Sequence, residues 1–262
     1  MKYAIVLVFV LSLLPTAFAG EPGLPFGWLM TRQISMSLLV SSADTNEATE
    51  PSVNGPGVID LLESGTLDAW KVPSDRWHLE EKSIIVGSTG TEKLDLPEWL
   101  YTKQSFGDFE FTCELKLTGD NRRNTGIYFR ANPFTFKGYK TFEAPSGYEF
   151  DAGNAAPNKK NMWGSVGDWY ARPSLRIFAD QTVIVEAFKP EDWNRVTIRA
   201  RENRLEYWIN GTKIMDYRDN DPKGSRDGLI GFQIHDRSVM KVAFRNIRVL
   251  PLSQPKKQGP KE

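Results

Sequence analysis

FGDFEFTCELKL (106–117) alternates apolar and polar residues without a break from Phe109 to Leu117. Side chains on a strand point to its two faces in turn. Phe109, Phe111, Cys113, Leu115 and Leu117 therefore share one face, and Glu110, Thr112, Glu114 and Lys116 share the other. That is a strand with one buried face and one wet face. The same period returns in NTGIYFR (124–130), through Ile127 and Phe129, and in GYEFD (147–151). WNRVTIRARENRLEYWINGTKIMDY (193–217) reads as three short strands. In it Val196, Ile198 and Ala200 face inward, 201–204 turn, Leu205, Tyr207 and Ile209 follow, and Asn210-Gly211 makes a tight hairpin. LIGFQIH (229–235) and VMKVAFRNIRVLP (239–251) close the set, the second bulged where alternation slips near Asn246. SLRIFADQTVIVEAF (174–188) is less ordered in its pattern, and no stretch of useful length carries a helical period. Many short antiparallel strands with frequent turns predict an all-β jelly-roll sandwich.

Outward from this core the chain is plainer. Thirty-three basic and 33 acidic side chains give no net charge, which argues against nucleic acid or an anionic membrane surface as the main partner. Residues 1–19 carry Lys2, an apolar run from Tyr3 to Leu14, Pro15 and Ala17-Phe18-Ala19. These are the parts of a secretory signal cut after Ala19, too short to span a bilayer comfortably. The expected location is periplasmic or extracellular, without stable membrane insertion. Residues 20–40 show no sustained period, and SSADTNEATEPSVNGPG (41–57) reads as a flexible linker. The folded domain is then 58–252, followed by a disordered tail, 253–262. The single cysteine, Cys113, lies in phase with the apolar face of its strand and reads as a core thiol. One thiol and two histidines leave little for a zinc site, and no G-x-S-x-G elbow supports a serine triad.

Polar side chains interleaved with apolar ones on strands are what a concave sheet needs to hold a polar ligand. Arg130, Glu149 and Asp151 stand on two adjoining strands, and Gln233 and His235 share one face of a later one. Asn124 and Gly126 open the NTGIYFR strand, where a glycine lets a ligand approach the backbone. Trp163, Trp169 and Tyr170 sit in a Gly-rich loop and suit stacking on sugar faces, whereas Trp70, Trp77, Trp193 and Trp208 read as core. Asp151, in phase with Glu149, reads most simply as a solvated strand-end acid. Two-carboxylate glycosidase chemistry and cation binding stand beside that reading. His78 reads as a surface residue, and Arg245 as satisfying loop carbonyls.

Taken in order, LLESGTLDAW (61–70) with Trp77 downstream, FGDFEFTCELKL, NTGIYFR, GYEFD, WNRVTIRARENRLEYWINGTKI, GLIGFQIHD and VAFRNIRV carry a resemblance. From about Ile59 to Leu250 the chain resembles the 3-keto-disaccharide hydrolase family. The resemblance implies a concanavalin A-like sandwich and cleavage of glycosides already oxidised at C3. Thr125 and Asp151 stand where that family usually has Ser and Gln. A C3 ketone acidifies the C2 hydrogen, so a base can remove it and expel the C1 oxygen; water then adds back. For that chemistry Glu149 reads as the base, His235 as the acid or an alternative base, and Arg130 as the group that polarises the ketone or holds a hydroxyl bidentately, or else as the charge partner of Glu149. Asn124, Asp151, Gln233, Trp163, Trp169 and Tyr170 are the expected substrate contacts. No cofactor is expected, though the carboxylates leave room for a divalent cation. No Gly-x-Gly-x-x-Gly fingerprint is present, so a separate oxidoreductase must make the ketone. The competing functions are a non-catalytic carbohydrate-binding module and an envelope interaction domain.

Overall fold

Each two-faced strand needs a partner layer to cover its apolar side, and here two sheets supply it for one another. The computed structural model describes residues 49–138, 140–153 and 160–252. In chain order the strands are β1 (Ile59–Asp60), β2 (Trp70–Lys71), β3 (Trp77–Glu80), β4 (Ile84–Ser88) and β5 (Glu98–Phe106). Then come β6 (Phe109–Gly119), β7 (Asn124–Lys137), β8 (Thr141–Gly153), β9 (Ser165–Gly167) and β10 (Arg176–Ile177). A short helix, α1 (Gln181–Ala187), precedes β11 (Asn194–Arg201), β12 (Arg204–Ile209), β13 (Thr212–Arg218), β14 (Gly228–Ile234) and β15 (Met240–Pro251). One sheet runs β13-β12-β11-β6-β15-β4-β3, with β1 on β15; the other runs β10-β9-β8-β7-β14-β5-β2. All pairings are antiparallel.

The all-β sandwich expected from the alternation is the fold observed. Phe109, Phe111, Cys113, Leu115 and Leu117 of β6 meet Ile127, Phe129, Phe150 and Phe232 of the second sheet in one core. Phe232 and Phe244 stack across the sheets with ring centroids 3.8 Å apart. Full burial of such side chains is worth about 1.5–3 kcal/mol each, so this layer carries most of the fold's stability. The Asn210-Gly211 hairpin has both residues at positive φ, as a tight two-residue turn requires. The bulge near Asn246 is present too, with φ 53° and a register shift between Arg245 and Arg248.

Several local readings change. Within 174–188 only Arg176–Ile177 is strand, and Gln181–Ala187 is helical. The β-branched run Thr182–Val185 favours extended backbone, but Asp180 caps the first turn, accepting from Thr182 N (2.8 Å) and Val183 N (3.4 Å). Ile184 and Ala187, three apart, then bury one face. Trp70 and Trp77 join the core, but Trp208 is buried outside it, on the outer face beneath Arg199 and Lys213. Trp193 is only half-buried and lies under Arg245, which pairs with Glu114 at 2.6 Å rather than with loop carbonyls. Residues 49–57 are no free linker: Val53 is buried, and Glu50 pairs with Arg195. The signal, the unassigned segment 20–40 and the tail lie outside the described residues.

Candidate active site

The outward face of the second sheet is a grid set by strand register. Asp151 of β8 lies opposite Gly126 of β7, and Glu149 lies opposite Tyr128. On the other side of β7, Tyr128 faces Gly231 of β14; one further step of that register brings Gln233 level with Gly126. On the outer side of β8, Glu149 faces Gly167 and Asp151 faces Ser165. Glycine leaves a gap wherever a large neighbour needs room. A Cβ at Gly126 would collide with Glu149 Oε1, one at Gly153 with Asn124, and one at Gly167 would lie 2.6 Å from Trp169 Nε1. The gaps leave the floor of a cleft of about 580 Å³. It is lined by Asn124, Tyr128, Glu149, Asp151, Gln233 and His235, with Met162, Trp169, Tyr170, Arg122, Asp236 and Arg237 around the rim.

Two buried carboxyls share this floor, and among the described residues neither has an ion-pair partner. Burial, and then the charge of Asp151, push Glu149 well above the usual carboxylate range, against donors from Tyr128 and the Trp169 indole. Burial likewise pushes Asp151 up to about 7, partly offset by Asn124, whose Nδ2 lies 3.3 Å from Oδ1, and by the Gly153 N–H. Two such groups titrate as a unit, the charge on one raising the proton affinity of the other. Among the described residues, Glu149 Oε2, Asn124 Oδ1 and Gln233 Oε1 are buried acceptors without a partner, so a ligand's donors would complete them. At the rim, His235 Nδ1 lies 2.7 Å from the Asp236 carbonyl and 3.1 Å from its carboxylate. Both neighbours accept, so Nδ1 carries the hydrogen, and Nε2 is the nitrogen left to exchange a proton.

The cleft thus gathers Glu149, Asp151, Asn124, Gln233, His235, Trp169 and Tyr170, and it corrects three expectations. Arg130 is not at the site. It sits at a β-bulge with φ 47° and turns wholly into the interior, donating to Gly107 O (2.8 Å), Glu202 O (2.6 Å) and Asp108 Oδ1 (2.8 Å). Trp163 stacks on Phe188 at 4.9 Å and is buried away from the cleft. Asp151 is buried, not a solvated strand end. Tyr128 and Asp236 are functional candidates that sequence reasoning passed over; Tyr128 shares the face of Gly126, which period-two counting could have found. Beside the cleft, Phe136 and Phe142 of the β7–β8 hairpin pack edge-on against Tyr170 at 5.2 and 5.6 Å, an aromatic wall on which Trp99 also rests. The oxygens of Glu149, Asp151, Asn124 and Gln233 are the donors a hard cation could use. Among the described residues no three His, Cys, Asp or Glu side chains converge as a metal group.

A second cleft of about 450 Å³ lies on the other sheet, between residues 50–54 and β6, β11 and β15. Its arginines are already engaged, Arg195 by Glu50 and Arg248 by Asn54. It has none of the buried, unpaired acids of the first.

Comparison with known proteins bears on the first cleft. Two candidate glycosyl hydrolases from Parabacteroides distasonis share the fold. One is 19% identical with a TM-score of 0.53 over 75% of this chain and 95% of its own. The other is 16% identical with a TM-score of 0.51 over 74% and 99%. The exoplasmic domain of VIP36, in a form bound to Ca2+ and Man3GlcNAc, is 8% identical with a TM-score of 0.51 over 79% and 93%. At such identities the likeness is one of fold. A search of curated proteins found no match. The profile of the 3-keto-alpha-glucoside-1,2-lyase-like domain matches residues 57–250, nearly the whole sandwich and every residue of the cleft. The chain carries a carbohydrate-active, hydrolase-like domain and belongs to the 3-keto-alpha-glucoside-1,2-lyase-like family.

Proposed function

We propose that this protein is secreted and cleaves glycosides whose sugar already carries a ketone at C3. The observation that carries the reading is the buried Glu149–Asp151 pair, without a cationic partner among the described residues and set over a glycine-gapped floor. A carboxylate whose proton affinity is raised is a stronger base at neutral pH, which C2 deprotonation requires. Glu149 takes the C2 proton and the electron pair moves onto the C3 oxygen as an enolate. The enolate re-forms the ketone as the C1–O bond breaks, and His235 gives the leaving oxygen its proton. Water then adds at C1 and a proton returns to C2, so the net change is hydrolysis. The Tyr128 hydroxyl, which burial keeps neutral, serves Glu149, and the Gln233 amide, one of whose N–H groups reaches the Tyr128 oxygen at 3.4 Å, has a second N–H to offer the enolate. The ketone comes from a separate oxidoreductase.

The test is a product assay on a 3-keto-disaccharide beside its unoxidised parent, with wild type and Glu149→Gln. Cleavage of the keto sugar alone, lost in the variant, is the expected outcome. A carbohydrate-binding module is the second reading, favoured by the aromatic wall; it would show as sugar-dependent thermal stabilisation without cleavage and unchanged by Glu149→Gln.

A further inference from the structure

Behind the cleft lies a buried charge cluster that the proposed chemistry does not use. Arg172 is nearly covered, as are Asp168 and Asp219. Its Nε donates to Asp168 Oδ2 at 2.8 Å and its Nη1 to Asp219 Oδ2 at 2.6 Å; Tyr148 O–H reaches the same Asp219 oxygen at 2.7 Å. The guanidinium also lies over the Tyr148 ring, 5.2 Å from its centroid. Asp168 and Arg172 bracket a single turn closed by Arg172 N to Asp168 O at 3.0 Å. That turn carries Trp169 and Tyr170. Asp219 follows β13, in the opposite sheet, and Tyr148 is the residue before Glu149. One arginine fork therefore ties the turn to both sheets.

What the turn presents is the reason this matters. Trp169 places its indole nitrogen over Gly167, the register partner of Glu149, and Tyr170 closes the aromatic wall on Phe136 and Phe142. Without an anchor, a five-residue loop turn would sample several orientations. We propose that Arg172 is a positioning residue: by bridging Asp168 and Asp219 it fixes the turn so that the Trp169 N–H donates to Glu149. Trp169 thereby stabilises the ionised base, and Arg172 governs, from behind the sheet, the pH at which that base works. The geometry needs a fork, because Asp168 and Asp219 are met by different nitrogens of one planar group. A lysine offers a single point charge there.

The test uses Arg172→Lys, Trp169→Phe and the double variant in the full chain, with Asp219→Asn as a second way to cut the bridge. The first readout is the indole N–H resonance of Trp169, assigned by its loss in Trp169→Phe. In wild type it should titrate with Glu149 and stop doing so in Glu149→Gln. In Arg172→Lys it should move toward the free-indole position and lose that titration. The second readout is the acid limb of the keto-sugar rate profile. Losing a donor to the carboxylate raises its proton affinity, so Arg172→Lys and Trp169→Phe should both move the limb to higher pH. The double variant should move it no further. A melting temperature that drops while resonance and limb stay put would make Arg172 merely structural and overturn the proposal. The pH readout rests on the proposed activity, but the resonance does not. If no variant or wild type cleaves any keto sugar, the activity falls and the resonance alone decides the positioning role.

Discussion

Glu149 and Asp151 sit two residues apart on one strand face, and among the described residues neither has a cation to lean on. Replacing Asp151 with Asn removes the charge that helps hold the proton on Glu149. The acid limb of the rate profile should then shift to lower pH, which a kcat/KM titration of Asp151→Asn against wild type would show. A stability signature follows from the same pair. Both carboxyls bind protons more tightly in the folded state than the roughly 4 expected of an unfolded chain. The folded protein therefore holds more protons than the unfolded chain from about pH 4 up to the folded values. The pair's cost is absent below that window and grows as pH rises through it. Glu149→Gln removes the coupled charge, so its melting temperature should match wild type near pH 4 and exceed it at pH 8. For a domain of this size each kcal/mol recovered is worth roughly 2–4 °C. A higher melting temperature with lost activity would mark Glu149 as a residue kept for chemistry, since a structural acid should destabilise when removed.

At the scale of elements, the β7 bulge decides what β7 contributes. Counting by twos through NTGIYFR puts Asn124, Gly126, Tyr128 and Arg130 on one face, which is why Arg130 reads as a site residue from sequence. The register shift between Phe129 and Asn132, with Arg130 in left-handed backbone, rotates that one side chain into the interior while its neighbours stay in phase. Arg130→Met should accordingly cost about 1–3 kcal/mol of stability, chiefly by taking the donor from the Gly107 carbonyl, since Asp108 keeps the Glu202 N–H (2.9 Å) and Glu202 O keeps Arg226 (3.2 Å), and leave kcat per folded molecule unchanged; denaturant unfolding and active-site titration together check this. The alternation that defined β6 and β11 was legible because one face of each is buried and the other largely wet; β12 and β14 keep the period in residue type although both of their faces are covered. So were Glu149, Gln233 and His235, whose phase survives into the structure. Trp163 was not, because its place under Phe188 is set by a contact distant in sequence. Helix α1 hid for a related reason: a one-residue cap and two buried contacts outweigh the propensity of a β-branched run.

On the scale of the whole molecule, the sandwich separates two tasks. One sheet is held by ion pairs on its outer face, such as Arg199–Glu110 at 2.8 Å and Arg204–Asp216 at 2.7 Å. The other sheet gives its outer face to the cleft. No nucleotide-binding fingerprint accompanies it, so purified protein should leave unoxidised disaccharides intact over hours; sugar analysis of the mixture would reveal any turnover. The chemistry-bearing side chains stand mainly on β7, β8 and β14, the middle of that sheet, and only the rim belongs to turns. A floor made of interior strands has no low-energy way to open by itself, unlike a site assembled from loops. On heating, then, keto-sugar cleavage should persist without a preceding decline in the fraction of competent enzyme and vanish in the same few degrees as the far-UV signal. Ligand release and global melting would be a single event, so the proposed activity would have no warm, folded, inactive form.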